Sequence, residues 1–218
     1  MYYRSRTDVG IKLASKAYDK YRYEDCAVIC LSEGGVQVGE QIAIDLHCAM
    51  MLLVSKSLAV PGESVNLGVI DQNGKLTYND EFSRGEIEEF ENEFHGYFED
   101  KKRSLQSEIN IAIGDGGVID NRLLQNRHIF LVADGTINTQ KISAALNYLK
   151  PVKTQKIILA TAFILDKIKD EVNHLVDDVI YLDIKSNPLD KDHYYENNLK
   201  LSHKEIVEKI NKIILNWR

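Results

Sequence analysis

The stretch Phe130-Leu131-Val132-Ala133-Asp134-Gly135-Thr136-Ile137-Asn138-Thr139-Gln140-Lys141 changes character halfway along. The run Ile129–Ala133 is almost continuously apolar, as a strand covered on both faces in a parallel sheet would be. Asp134 and Gly135 end it, and Thr139–Leu149 then reads as a helix. Four other runs share the pattern: Ala27–Leu31, Ala49–Val54, Ile157–Ala162 and Val179–Leu182. Helix-like stretches follow the first run at Val36–Leu46 and the fourth at Phe163–Leu175. Alternation of this kind predicts an α/β, Rossmann-like fold, with a central parallel sheet flanked by helices.

Amphipathic segments lie at both ends. Leu13, Ala14, Ala17, Tyr18 and Tyr21 share one helical face, with Asp8 or Thr7 as the expected cap. Ser202-His203-Lys204-Glu205 is a capping box, followed by the apolar stripe Ile206, Val207, Ile210, Ile213, Ile214 and Trp217. After the second run, Leu67–Ile70 and Lys75–Tyr78 flank an Asn73-Gly74 hairpin signal. A Glu-rich helix over about Ser83–Ser104 follows, its charges read as a solvated face. The expected organisation is one domain, 1–218, with an inserted hairpin–helix flap at 64–105 and a hood built from 1–24 and 186–218.

The chain has 218 residues, with 27 Lys and Arg against 33 Asp and Glu. The resulting net charge of −6 argues against a protein that coats duplex nucleic acid. No apolar run is long enough to span a membrane. Cys26, Cys30 and Cys48 read as buried thiols of a reducing compartment, and the expected location is the cytoplasm. Their spacing does not suit zinc, so no metal site is predicted.

In an open α/β sheet, ligands bind beyond the carboxyl ends of the strands. After the first strand comes Ser32-Glu33-Gly34-Gly35, whose glycines and helix start suit a phosphate or pyrophosphate. The same glycines also suit a plain tight turn, and the charge of Glu33 opposes an anion. Lys56, in Ser55-Lys56-Ser57, is placed to meet a phosphate as a point charge or to stand on the surface. In the third loop, Asp134 would accept sugar hydroxyls. Gly135, Thr136, Ile137, Asn138 and Thr139 would surround a phosphate at the helix start, with Lys141 adding charge. The alternative for this loop is an ordinary helix cap at Asp134 or Asn138. Gly114-Asp115-Gly116-Gly117 is either an anion nest or a turn, and Asp183 is a candidate pocket residue. Tyr194 and Tyr195 are candidates to stack on a base or to pack under the last helix. Asp177-Asp178 reads as a turn or cap.

The order of these pieces resembles that of type I phosphoribosyltransferases. Arg6-Thr7-Asp8-Val9-Gly10 is similar to the family's R-T-D-A-G opening, and Val28–Gly39 to its pyrophosphate loop. Leu53–Gly62 is similar to its V-V-R-K-L-x-x-P-G segment, and Tyr195-Glu196-Asn197-Asn198 with Ser202 to its C-terminal ending. The resemblance implies a catalytic Asp134 that holds ribose, with magnesium present only if phosphoribosyl pyrophosphate binds and no other cofactor. It also implies association of copies into a homo-oligomer. The donor loop departs from the family pattern of two acids followed by G-x-A-T-G-x-T. Ala133 stands for the first acid, Asn138 for a threonine, Thr139 for the second glycine and Lys141 for the last threonine. Glu33 and Ser55 each stand where the family has arginine. A phosphoribosyltransferase-like chain with a degenerate transferase site is therefore expected, binding a nucleotide, a ribose phosphate or a protein partner in regulation. The alternatives are an active transferase and an assembly module without ligand.

Overall fold

The computed structural model describes residues 2–114, 119–186 and 190–216, with side chains as far as Ile213. The first part of the chain contains α1 (Arg6–Tyr21), β1 (Cys26–Cys30), α2 (Glu33–Asp45), β2 (Ala49–Leu52), β3 (Ser55–Ala59), β4 (Asn66–Asp71) and β5 (Leu76–Tyr78). There follow α3 (Arg84–Glu93), α4 (His95–Ile113), β6 (His128–Ala133), α5 (Gln140–Leu149), β7 (Lys156–Leu165), α6 (Lys169–Leu175), β8 (Asp178–Lys185) and α7 (His203–Asn216).

Five strands form a parallel sheet in the order β2-β1-β6-β7-β8. Every residue of β1 and of β6 is buried, which is why these runs are apolar throughout. Val28, Cys30, Phe130, Val132 and Ile158 face one core with Val9 and Leu13 of α1, Val36 and Ile42 of α2, and Ile206 and Ile213 of α7. Ala27, Ile29, Leu131 and Leu159 face the other, under Ile142 and Leu149 of α5 and Val172 of α6. The terminal helix rests on α2 and β2. The strand order reverses between β1 and β6, so the sheet opens a crevice at their carboxyl ends.

The expected hairpin is β4–β5, with Gly74 in the left-handed region at φ 77°. It belongs to a three-stranded antiparallel sheet, β3-β4-β5, whose Leu58, Leu67 and Ile70 pack on Phe98, Leu105 and Ile109 of α4. Near the chain ends, Tyr3 and Tyr195 form an isolated parallel bridge, and Asn197 N donates to Arg4 O at 3.0 Å.

Several expectations are corrected. Phe163–Leu175 is not one helix: β7 runs on to Leu165, because Phe163, Ile164 and Leu165 continue the register against Asp183, Ile184 and Lys185 of β8. Only Lys169–Leu175 is α-helical there. Ser55-Lys56-Ser57 is strand, an edge of the small sheet with polar residues turned outward. The acidic helix is two helices that break at Phe94, and the second extends to Ile113. α1 is capped by Ser5, whose Oγ accepts from Asp8 N at 3.1 Å, not by Thr7 or Asp8. The expected capping box is present before α7, with Ser202 N donating to Glu205 Oε2 at 2.8 Å. Gly114 ends α4, whereas Asp115, Gly116 and Gly117 lie outside the described residues, as do Trp217 and the Ile214 side chain. No helix among the described residues is long and apolar enough to cross a membrane.

Candidate functional site

A cavity of about 370 Å³ sits at the carboxyl ends of β1 and β6, where the strand order reverses. Leu31, Ser32 and Gly34 from the first turn and Asp134 from the second form its floor. β2 and β3 supply one wall through Leu52–Lys56, and the segment before α7 supplies another through Lys191, Asp192 and Lys200. A smaller cavity of about 150 Å³ continues past Asp134 along Gly135–Asn138. Lys141, half-buried in the first turn of α5, lines both.

Asp134 is almost fully buried, and both of its oxygens are taken. Arg6 Nε donates to Oδ2 at 2.9 Å. Lys191 Nζ and Ser32 Oγ donate to Oδ1 at 2.7 and 3.0 Å. Burial alone would raise the Asp134 pKa, but Lys191 and Arg6 outweigh it and hold the carboxyl below the ordinary range. Arg6 is itself 3% exposed and acts as a hub. Its other nitrogens donate to Asn198 Oδ1 at 2.6 Å and to Asp192 Oδ1, and its guanidinium lies 4.5 Å from the Tyr195 ring centroid. The Tyr195 hydroxyl donates to the Asp134 carbonyl oxygen. Asp192 also meets Lys200 Nζ at 2.9 Å. Burial pushes Asp192 up, and its bonds to Lys200, Arg6 and Asn198 bring it down to about 2.

The glycines of the two turns serve this packing. A Cβ on Gly34 would lie 2.1 Å from Asp134 Oδ2 and 2.7 Å from Arg6 Nε, so only glycine lets the ion pair rest on α2. A Cβ on Gly135 would lie 2.5 Å from the Phe163 ring. Ser32 caps α2, its Oγ accepting from Gly35 N at 3.0 Å.

In the second turn Thr136 is bonded to β7. Thr136 N donates to Phe163 O at 2.9 Å, Leu165 N donates to Thr136 O at 3.1 Å, and the Thr136 hydroxyl meets Thr161 Oγ1 at 3.1 Å. The backbone and hydroxyl of Thr136 are thus committed to β7. Thr139 precedes α5 at φ −93°, makes no side-chain cap bond and carries no left-handed strain. Asn138 is exposed, Ile137 is half-buried against the cores, and neither Asn138 nor Asp134 caps the helix.

Of the other expected residues, Glu33 is exposed at the start of α2 and lines the pocket. Gly35 is buried beneath it against Val132 O. Lys56 reaches the pocket from β3 and pairs with Glu108 at 3.2 Å. Asp183 accepts from Lys185 Nζ at 2.7 Å, and Tyr194 packs edge-on against Phe163 at 4.7 Å. Asp178 accepts from the Tyr21 hydroxyl and Asp177 from Ile157 N, both at 2.7 Å, at the amino end of the sheet.

Sequence reasoning singled out Asp134 but not its partners. Arg6 was visible only inside a motif, and Ser32 only as a neighbour of glycines. Lys191 and Asp192 follow the fifth strand of the sheet, so the strand-end rule itself points to them.

No family model matches the chain. Its fold is shared with solved structures. The crystal structure of TT1426 from Thermus thermophilus aligns with 100% of this chain and 99% of its own, at TM-score 0.70 and 17% identity. The AQ2163 protein from Aquifex aeolicus aligns over 85% of this chain and 77% of its own, at TM-score 0.51 and 9% identity. Hypoxanthine-guanine phosphoribosyl transferase from L. donovani aligns over 91% and 92%, at TM-score 0.49 and 13% identity. At these identities the likeness to the first two is one of fold alone.

Proposed function

We propose that the chain is a phosphoribosyltransferase-type scaffold whose strand-end pocket binds a nucleotide or ribose phosphate as a regulatory ligand, not as a substrate for pentosyl transfer. One observation carries this reading: the single acid at the end of β6, Asp134, is spent on Arg6, Lys191 and Ser32. Three of the roughly four lone-pair sites of that carboxylate are occupied, and freeing them for ribose hydroxyls means leaving a buried charge partly unpaired. The second turn offers no compensation, since Thr136 is bonded to β7. Anion binding is favoured by Lys56, Lys141 and Lys200 around the cavity and by the N-terminus of α2 at its floor. Glu33 opposes it from the same helix turn.

Calorimetric titration separates the readings. Nucleoside monophosphates are expected to bind without magnesium and without turnover. Magnesium-dependent binding of phosphoribosyl pyrophosphate, with transfer to any base, would establish an active transferase instead. Absence of heat with either ligand would favour an assembly module.

A further inference from the structure

We propose that Lys141 is a reactive amine at which the pocket captures a small anionic aldehyde as an imine. The inference rests on the anion-binding reading above for the charge of the ligand, but on Lys141 alone for the chemistry.

Four lysines line the main cavity, and three have carboxylate partners: Lys56 with Glu108 at 3.2 Å, Lys191 with Asp134 at 2.7 Å and Lys200 with Asp192 at 2.9 Å. Among the described residues Lys141 has no ion pair, and its hydrogen bond is a long one, 3.4 Å, to the main-chain oxygen of Leu31. Like Lys191, it lines both the main cavity and the smaller chamber beside Gly135–Asn138, but it does so without a carboxylate partner. Burial disfavours its ammonium form, and Lys191 and Lys56 add repulsion; Asp134 and Glu33 pull the other way without restoring the ordinary value. Asp134 is a weak counterweight because Arg6 and Lys191 already neutralise it. A lysine whose ammonium form is disfavoured by burial and neighbouring cations gives up its proton more readily than an exposed one, which is what a nucleophilic amine requires.

The surroundings define the ligand. Lys56 is held by an exposed pair, and Lys200 is itself exposed and would leave Asp192 bonded to Arg6, so both can turn to an anion. All three lysines line one cavity, so an anion held by Lys56 and Lys200 brings the rest of its molecule to the chamber that Lys141 shares. A phosphorylated aldehyde, such as a sugar phosphate in its open-chain form, meets both demands. In the reaction, neutral Nζ attacks the carbonyl carbon, and the carbonyl π pair moves to oxygen. One N–H proton passes to that oxygen to give a carbinolamine. The second N–H proton leaves with the hydroxyl as water, and the nitrogen lone pair completes the C=N bond. No oxidant or reductant is consumed.

Pyridoxal 5′-phosphate serves as the probe, fixed by borohydride and located by peptide mapping, with pyridoxal as the uncharged-tail control. In the wild-type chain, substoichiometric probe is expected to mark Lys141 ahead of every other lysine. Excess inorganic phosphate should suppress that label, and pyridoxal should give little. On acidification, labelling of Lys141 should persist to lower pH than labelling of a free lysine side chain in a short peptide, because burial and the neighbouring cations disfavour its ammonium form. Lys141→Arg should lose the label. Label spread over exposed lysines, or concentrated on Lys56, Lys191 or Lys200, overturns the proposal, as does equal labelling by pyridoxal. The wild-type map decides the matter even if the variant fails to fold. Label at Lys141 without monophosphate binding would sink the nucleotide reading alone; monophosphate binding with label elsewhere would sink this one alone.

Discussion

The two strand-to-helix turns on the pocket floor look alike in sequence, each with an apolar strand, glycine and small polar residues, but they are built differently. After β1 the chain enters α2 at once, with Ser32 capping the helix and Gly34 leaving room for the Arg6–Asp134 pair. After β6 it runs beside β7 through the Thr136–Ile164 bridge before α5 begins, uncapped by any side chain. The first turn delivers a helix N-terminus to the cavity, and the second spends the amide and carbonyl of Thr136 on the sheet. Glycine content therefore says that backbone must come close to something; it does not say whether that something is a ligand or the protein itself.

The largest way to break this comparison is to remove the ion pair that joins the two turns. Arg6→Met leaves Asp134 buried with one of its three side-chain donors gone and should cost roughly 3–5 kcal/mol in urea unfolding. A loss below about 1 kcal/mol would mean that Asp134 finds water or protonates at no cost, and that the floor is not locked.

Next in size are the glycines. Gly34→Ala and Gly135→Ala should each cost roughly 1–3 kcal/mol through overpacking. Their effects on binding should part: Gly34→Ala displaces Asp134 and should weaken monophosphate binding in calorimetry, whereas Gly135→Ala pushes on Phe163 and should largely spare it. Equal losses of binding would erase the distinction between the turns.

The smallest test compares the helix starts. Ser32→Ala removes a cap bond and should cost about 1 kcal/mol. Asn138→Ala, at an exposed position with no such bond, should stay within about 0.5 kcal/mol. The difference is measured by paired unfolding curves, and equal effects would show α5 to be capped after all.

The parallel sheet was legible because burial on both faces writes itself as continuous apolar runs, as in β1 and β6. The hairpin was legible from Asn73-Gly74, and the start of α7 from Ser202 and Glu205. The end of β7 was not, because Phe163-Ile164-Leu165 is an apolar run too short for periodicity to separate strand from helix. Edge strand β3 hid behind Ser55, Lys56 and Ser57, whose polarity suits an exposed edge as well as a loop. Of the site, Asp134 could be picked out from its position at a strand end. Its partners could not, since Arg6 lies 128 residues away and Lys191 57 residues away. A charged side chain gives no local sign that it will be buried; that depends on partners which only the tertiary structure supplies.

The bridge between Tyr3 and Tyr195, with Arg6 tied to Asp192 and Asn198, has a consequence for synthesis. A chain made from its amino end forward carries the central strands long before residues 191–198 leave the ribosome. Until then Arg6 and Asp134 lack the groups that close around them, and the cavity has no far wall. The cavity is thus completed only once residues 191–198 have emerged, and a nascent chain stalled before that point would expose the floor of the crevice to chaperones.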